Sequence, residues 1–586
     1  MTANNRIFVG LSLIAVVAAV ILSAANLYLG DLNQDEGWYL YAAQLVASGQ
    51  WPYVDFAFTQ GPVMPLVYSW FEPVIRNFGL AGGRMITAII GLVSAALAAL
   101  LAIRLAPLRL RAGAALTTFI LISVNVYQSY FCTVVKTYSL TALLLMLGFL
   151  AMAEGWNRRH AWLMLMAGAF MVLAAGTRTS AGVILPIVFL YLLMARCPAQ
   201  RGTNTPATLA WPQAAHRSAP PLAWLHFGLG ATVMACLVFL PFLILAPKSF
   251  LYCVVQYHTL RHSGGDLMML VYKVGFLSRL LQAYFVAFGI GLAVVFAKWA
   301  WTRLRPEGFH RHQGYGGQVG GQARAPAATT APAVMTAPAV MTAPAVMTAP
   351  AAMAAPALMR ILWLSIIAIT LIHFLAPFPY DDYQVFIFPL LAIAIASAAV
   401  RLVGQRGVLW LTMGILVVSL GAAVSSPLNQ DWFIQGRDRI WWLVKDRSPL
   451  QKLRDTAAQI RSVTKPGDLL LTQDPYLAVE ANLKVPHGLE MGQFSYFPGL
   501  SDDQAASLHV FNRAGFEHLL RTTEAPIAAL SGYALAIQSP EVTPLTPEDQ
   551  ALFTKIVTDR YTPMTNVPCF GQAYTTLTIY RKKPKM

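Results

Sequence analysis

Charge is scarce in this sequence. Only 12% of its 586 residues are Asp, Glu, Lys or Arg, while 57% are hydrophobic. A chain so composed cannot clothe a soluble globule of normal surface. Its apolar residues fall in runs that approach the roughly 20 needed to cross a bilayer. Acids are the scarcer sign, 26 against 42 bases, for a formal net charge of +16. In a membrane protein such an excess gathers in cytoplasmic loops, so membrane lipids are the expected surroundings and no nucleic acid partner is implied. Cysteine is rare as well. The five (Cys132, Cys197, Cys236, Cys253 and Cys569) are scattered, with neither metal-ligand spacing nor a disulfide framework. No G-x-G-x-x-G and no P-loop is present, which removes the common nucleotide-binding classes. The expected class is a polytopic α-helical membrane protein.

The first hydrophobic run, 7–29, follows a single cation, Arg6, and has no small-residue cleavage site. It reads as a retained span with a cytoplasmic amino terminus. Further runs fall at 81–105, 112–131, 137–153, 161–177, 181–195, 223–246, 274–299, 361–378, 384–400 and 407–425, about eleven spans in all. Every second connection is basic: Arg104, Arg109 and Arg111; Arg158 and Arg159; Arg196, Arg201 and Arg217; Arg303, Arg305, Arg311, Arg324 and Arg360; Arg401 and Arg406. That alternation is the positive-inside pattern, and it puts the carboxyl-terminal end outside. Segment 306–359 is Gly-rich and then repeats APAVMT, with Pro332, Pro338, Pro344, Pro350 and Pro356 six residues apart. Each proline removes a donor that lipid cannot replace, so a disordered cytoplasmic linker is expected, with His310 and His312 simply solvated.

After 425 the composition becomes that of a soluble chain. Ser448 before Pro449 opens a helix to Val463, and 468–473 reads as a buried strand. Helical patterns recur at 476–483, 502–520 and 547–559, and 573–580 alternates like a terminal strand. The expected division is a membrane domain, 1–425, followed by an extracytoplasmic α/β domain, 426–586.

The loop at 30–80 lacks positive charge almost entirely. No Lys or Arg stands between Arg6 and Arg76, yet Asp31, Asp35, Glu36 and Asp55 lie among Trp38, Tyr39, Tyr41, Trp51, Tyr53, Phe56 and Phe58. Residues 37–49 have the pattern of a short amphipathic helix, and Pro62, Pro65 and Pro73 break up the stretch beyond it. Acids are costly beside lipid, which points to chemistry on a polar, sugar-like substrate; a plain solvated loop with interfacial aromatics is the alternative. Polar residues also gather at the outer span ends: Lys136, Thr137 and Tyr138; Thr177 to Ser180; His258, Arg261 and His262; Tyr380 to Tyr383. Cations placed against the positive-inside bias suit an anion such as a lipid phosphate, or pairing with the loop's acids.

Asp35-Glu36, then Tyr39, Ala42, Leu45 and Gly49, then Tyr53-x-Asp55-Phe56 and Gly61-Pro62, resemble the first periplasmic loop of GT-C glycosyltransferases. The branch is that of the dolichyl-phosphate-mannose protein mannosyltransferases and the lipid A aminoarabinose transferase. Segments 176–186 (GTRTSAGVILP) and 380–392 (YDDYQVFIFPLLA) resemble the same group. The resemblance implies sugar transfer, with inversion, from a polyprenyl-phosphate-linked donor to a lipid, glycan or protein acceptor outside a bacterial inner membrane. Asp35 matches the family's catalytic acid, which implies a general base for the acceptor hydroxyl. Glu36 and Asp55 would orient the acceptor or hold the cations. Arg178, Lys136, Arg261 and His258 are the candidates to meet the leaving phosphate. Tyr39, Tyr53, Gln60, Tyr138, Tyr380, Asp382 and Tyr383 are the candidates to line the substrate.

Two departures stand out. Trp38 occupies a position where the aminoarabinose-type pattern has a basic residue, and Gln60-Gly61-Pro62 replaces its Lys-Pro-Pro turn. The His-Pro-Pro turn of the mannosyltransferases is missing too. No metal cluster is visible, and a divalent cation is left open as a cofactor. The rival class is a transporter or flippase for a lipid-linked or anionic solute, which calls for charges or broken helices at mid-membrane depth and an internal repeat. Neither stands out. A catalytically inert assembly protein is the third reading.

Overall fold

The computed structural model describes residues 3–195, 220–259, 265–304, 355–425, 447–531, 545–572 and 574–584. The first ten helices in chain order are α1 (Ala3–Leu29), α2 (Gln34–Ala47), α3 (Val63–Ser69), α4 (Glu72–Leu105), α5 (Arg111–Ser123), α6 (Val126–Phe131), α7 (Thr137–Arg158), α8 (Ala161–Thr177), α9 (Ile184–Met194) and α10 (Ala223–Leu245). Among the described residues six helices are long and apolar enough to cross a membrane: most of α1, then α4, α7, α10, Ala355–Leu375 and Phe388–Val424. A seventh crossing arises if the pair Asp266–Ala283 and Phe285–Ala300, bent by 88°, is one span. The protein is an integral membrane protein.

Several of the expected spans are interrupted for local reasons. The expected span 274–299 contains that 88° bend. The run 112–131 is divided into α5 and α6, because the Asn125 side chain accepts from the Gln128 amide and starts a new helix. Runs 384–400 and 407–425 correspond to two helical stretches of Phe388–Val424 that meet in a kink at Gly404, whose φ of 63° a side chain would resist. The last residues of the expected linker, from Ala355, already belong to the helix Ala355–Leu375. Pro356 sits in its first turn, where a missing N–H leaves no bond unmade. The rest of that repeat, 306–354, lies outside the described residues, as do Arg196, Arg201, Arg217, Arg261 and the boundary segment 426–446.

Helix α2 begins three residues before the expected amphipathic segment. Asn33 and Glu36 form a capping box, with Asp35 and Glu36 in the first turn, where acids suit the helix dipole. Residues Glu36 to Ala43 are all buried, so this is an enclosed helix. The carboxyl-terminal region covers one side of it. There a four-stranded sheet of β1 (Leu470–Thr472), β2 (Ile527–Leu530), β3 (Tyr561–Phe570) and β4 (Thr575–Lys582) has the order β1-β2-β4-β3. β1 and β2 run parallel; the other pairs are antiparallel. Strand β3 escapes sequence patterning because it is an edge strand, mostly exposed and carrying Pro563 and Pro568. The pattern 502–520 is two helices, Asp502–Ser507 and Arg513–Thr522, the second started by the Asn512 cap.

This region docks on the loop through polar and close backbone contacts. The Gln34 amide donates to Gln572 Oε1 at 2.9 Å, the Leu80 amide to Glu480 Oε2 at 2.8 Å and the Val485 amide to Tyr41 Oη at 3.1 Å. Tyr574 donates to Asp31. Gly37 lies so close that a Cβ there would sit 2.2 Å from the Tyr476 amide nitrogen.

Overpacking of this kind costs about 1–3 kcal/mol or more. Gly37→Val is therefore expected to lower the thermal stability of the purified protein and to speed proteolytic release of the carboxyl-terminal region. Gly10→Ala, at a position with nothing within 4 Å, is the control expected to change neither.

Candidate active site

The first turn of α2 presents Asp35 to the segment that precedes α7. Asp35 Oδ2 lies 3.0 Å from Lys136 Nζ, and its Oδ1 accepts from Trp38 Nε1 at 3.3 Å. Lys136 also lies 2.8 Å from Asp382 Oδ2, which accepts the Tyr138 hydroxyl at 2.8 Å. One ammonium thus bridges two carboxylates that are far apart in sequence. The two acids are not equivalent: the Asp35 side chain is 21% exposed and the Asp382 side chain 14%, so Asp35 is the more open to a reagent.

Burial alone would raise the Asp382 pKa, but Lys136, the Tyr138 hydroxyl and Arg178 hold this carboxyl below the usual range. Burial would likewise lower Lys136, yet Asp382 first, then Tyr138 and Asp35, keep it well above the ordinary lysine value. Both groups are charged at neutral pH.

Arg178 caps the end of α8 and is 8% exposed. Its Nη1 donates to Thr137 Oγ1 at 3.2 Å, and its guanidinium rests 4.2 Å from the Tyr383 ring centre and 4.8 Å from that of Tyr138. Its Nε has no hydrogen-bond partner, and among the described residues it forms no ion pair. A buried cation held by rings thus keeps one donor unused.

Two glycines let this assembly close. A Cβ on Gly61 would lie 2.0 Å from the Gly176 carbonyl oxygen. The Gln60-Gly61-Pro62 turn therefore packs backbone to backbone on the segment that carries Arg178. Other expected site residues hold that turn and stay apart from the cluster. Tyr53, fully buried and edge-on to Phe58, Phe242 and Phe250, donates to the Gln60 carbonyl. His258 Nε2 lies 2.9 Å from the Thr59 carbonyl oxygen. Asp55 accepts from the Trp51 amide at 2.6 Å, a local turn bond.

Glu36 is withdrawn altogether. Its side chain is 0% exposed and pairs with Arg84 at 2.6 and 2.8 Å. Tyr39, stacked on Trp38 with ring centres 3.9 Å apart, flanks Asp35. Tyr380 lies further out, its ring 5.4 Å from that of Tyr383. Arg261 lies outside the described residues.

Sequence reasoning passed over Arg84, whose signal was a lone charge in an apolar run and hence a buried partner. It also passed over the roles of Asp381, which binds Arg279 Nε at 2.9 Å and accepts from Tyr127, and of the Thr137 hydroxyl. Among the described residues no group of three or more His, Cys, Asp or Glu gathers as a metal site.

No protein-family model matches this chain, and no curated protein matches its sequence. Solved structures do. ArnT from Cupriavidus metallidurans in the apo state matches with a TM-score of 0.53, at 15% identity, over 97% of this chain and 98% of that one. The same protein bound to undecaprenyl phosphate matches with a TM-score of 0.51 at the same identity and coverage. The likeness is one of fold.

The Lys136 bridge has a pH signature. The lowered Asp382 adds stability that is lost as pH falls through its folded value; the raised Lys136 adds stability that is lost as pH rises through its own. Their contribution is therefore level between roughly pH 4 and 10. Lys136→Met, which strands two carboxylates, is expected to cost about 3–5 kcal/mol at pH 7 and to regain part of it below about pH 5. Thermal unfolding at pH 4.5 and 7.5 checks this; equal stability of variant and parent at pH 7.5 would refute it.

Proposed function

We propose, with the GT-C fold as premise, that this chain is a membrane glycosyltransferase using a polyprenyl-phosphate-linked sugar donor. The observation that carries the reading is a carboxylate, Asp35, set within 3.0 Å of Lys136 and in the same cluster as Arg178, a buried cation with an unused donor. Acid, cations and aromatic rings together match what such a transfer requires.

In the proposed reaction Asp35 takes the proton of an acceptor hydroxyl. The acceptor oxygen then attacks the anomeric carbon from the face opposite the phosphate. The bond between that carbon and the phosphate oxygen breaks, its electron pair leaves with the lipid phosphate, and the anomeric centre is inverted. Arg178 and Lys136 supply positive charge around the departing phosphate, where the transition state needs it. Cations fixed in advance in a dry site lose nothing to reorganisation. Tyr39, Tyr138 and Tyr383 offer ring faces and hydroxyls to the sugar. Glu36 is given a structural part, and Asp382 the part of holding Lys136 in place.

We assign the amino terminus to the cytoplasm and the carboxyl-terminal α/β domain, 426–586, to the outer face of a bacterial inner membrane. The basic alternate connections support that orientation. The ArnT structure is bound to undecaprenyl phosphate, which supports a polyprenyl phosphate as the lipid here. The acceptor class is a lipid, glycan or protein hydroxyl.

The test is transfer of radiolabelled sugar in membranes that carry polyprenyl-phosphate sugars, comparing the parent with Asp35→Asn at equal abundance. Loss of a general base is expected to cut the rate by about 100-fold or more. Parent-like transfer by the variant, or no consumption of donor by either, would sink the proposal and bring the transporter reading forward.

A further inference from the structure

A chain of polar side chains that the proposed reaction does not use ends beside Arg178. Thr370 Oγ1 donates to Gln384 Oε1 at 3.1 Å, which turns the amide nitrogen of Gln384 toward His373. That nitrogen lies 3.1 Å from His373 Nδ1, so Nδ1 accepts and the ring proton sits on Nε2. Nε2 in turn lies 3.0 Å from Ser180 Oγ and donates to it. His373 is 3% exposed, and its ring meets Tyr383 edge-on at 5.4 Å. Tyr383 is the ring on which Arg178 rests. The network therefore shares a wall with the Arg178 guanidinium.

Ser180 stands two residues after Arg178, half-buried, in the 3-10 turn Thr179–Val183. Its oxygen is occupied as an acceptor. Among the described residues its hydroxyl hydrogen has no acceptor. Two separate segments, Ala355–Leu375 and Asp381–Gln384, thus orient one hydroxyl whose donor is left over, two residues after an arginine whose Nε is also left over. A buried donor without an acceptor, as at Arg178 Nε, is costly unless a ligand takes it, and an anion held there would also suit the hydroxyl two residues on.

We infer that Ser180 is a phosphate-binding residue, its hydroxyl donating to the same lipid-phosphate group that Arg178 meets. His373 is a positioning residue that acts through Ser180, with Gln384 setting its tautomer. The inference rests on the proposed function and adds to it a neutral donor at the phosphate.

The test is binding of undecaprenyl phosphate to the purified full-length protein in detergent, followed by intrinsic tryptophan fluorescence. Ser180→Ala is expected to raise the Kd roughly tenfold or more, as for a lost bond to a charged acceptor. Ser180→Thr, which keeps the hydroxyl, is expected to bind nearly as the parent does. His373→Phe should weaken binding too, yet the double variant Ser180→Ala, His373→Phe should bind no worse than Ser180→Ala alone. Parent-like binding by Ser180→Ala, or effects of the two substitutions that multiply, would overturn the inference while leaving the proposed function standing. A parent protein that does not bind undecaprenyl phosphate would overturn that function first and this site with it.

Discussion

The buried pair of Glu36 and Arg84 is the constraint on which the rest depends. Both side chains are 0% exposed. Arg84 meets both carboxylate oxygens, and its remaining donors reach the carbonyls of Asn26, Leu27 and Gly30 at 3.0–3.3 Å and that of Asp31 at 2.7 Å. Those carbonyls lie in the last turn of α1 and in the two residues that follow it. Glu36 also accepts from the amides of Asn33 at 2.9 Å and Val135 at 3.1 Å. One ion pair thereby ties the end of α1, the start of α2, the span α4 and the residue before Lys136. A buried pair is costly to assemble and more costly to break, because the survivor is a lone charge away from water. Its donors and acceptors are nearly all filled, which is the condition for tolerating it.

The functional cluster inherits its geometry from that pair. Asp35 follows directly from the capped first turn that Glu36 closes, and Lys136 follows directly from the amide that Glu36 holds. The 3.0 Å separation of Asp35 and Lys136 is thus set from behind by a fully buried neighbour. The carboxyl-terminal region completes the enclosure of α2 through Gly37 and the Gln34 amide. Two layers of backbone contact, Gly37 on Tyr476 and Gly61 on Gly176, leave the acidic helix little room to shift.

Within the cluster, cations and acids are matched unevenly. Lys136 is shared by Asp35 and Asp382, whereas Arg178 is held by rings and a hydroxyl, feels Asp382 only at a distance and forms no ion pair among the described residues. That imbalance is what the proposed phosphate-binding role of Arg178 rests on. The aromatic residues do more than fill space: Tyr383 carries Arg178 on one side and meets His373 on the other.

Much of this was legible in the sequence. Apolar runs without charge identify membrane spans because the bilayer leaves no other place for them. The capping box, the Ser448-Pro449 helix start and the close-packing glycines are local signals with local causes, and the motif stretches around Asp35, Arg178 and Asp382 pointed to the fold. What escaped were choices made at a distance. Linear order sets Asp35 and Glu36 side by side as equal acids; only the packing of α4 buries one with Arg84 and leaves the other 21% exposed. Tyr53, His258 and Asp55 have the right chemistry for a substrate but are used to brace turns. Sequence by itself determined that this chain is a membrane bundle with an acidic, aromatic first loop, since those properties belong to residues one at a time. Tertiary structure alone decided which charges meet, because a pairing depends on the distance between segments that the order of residues does not contain.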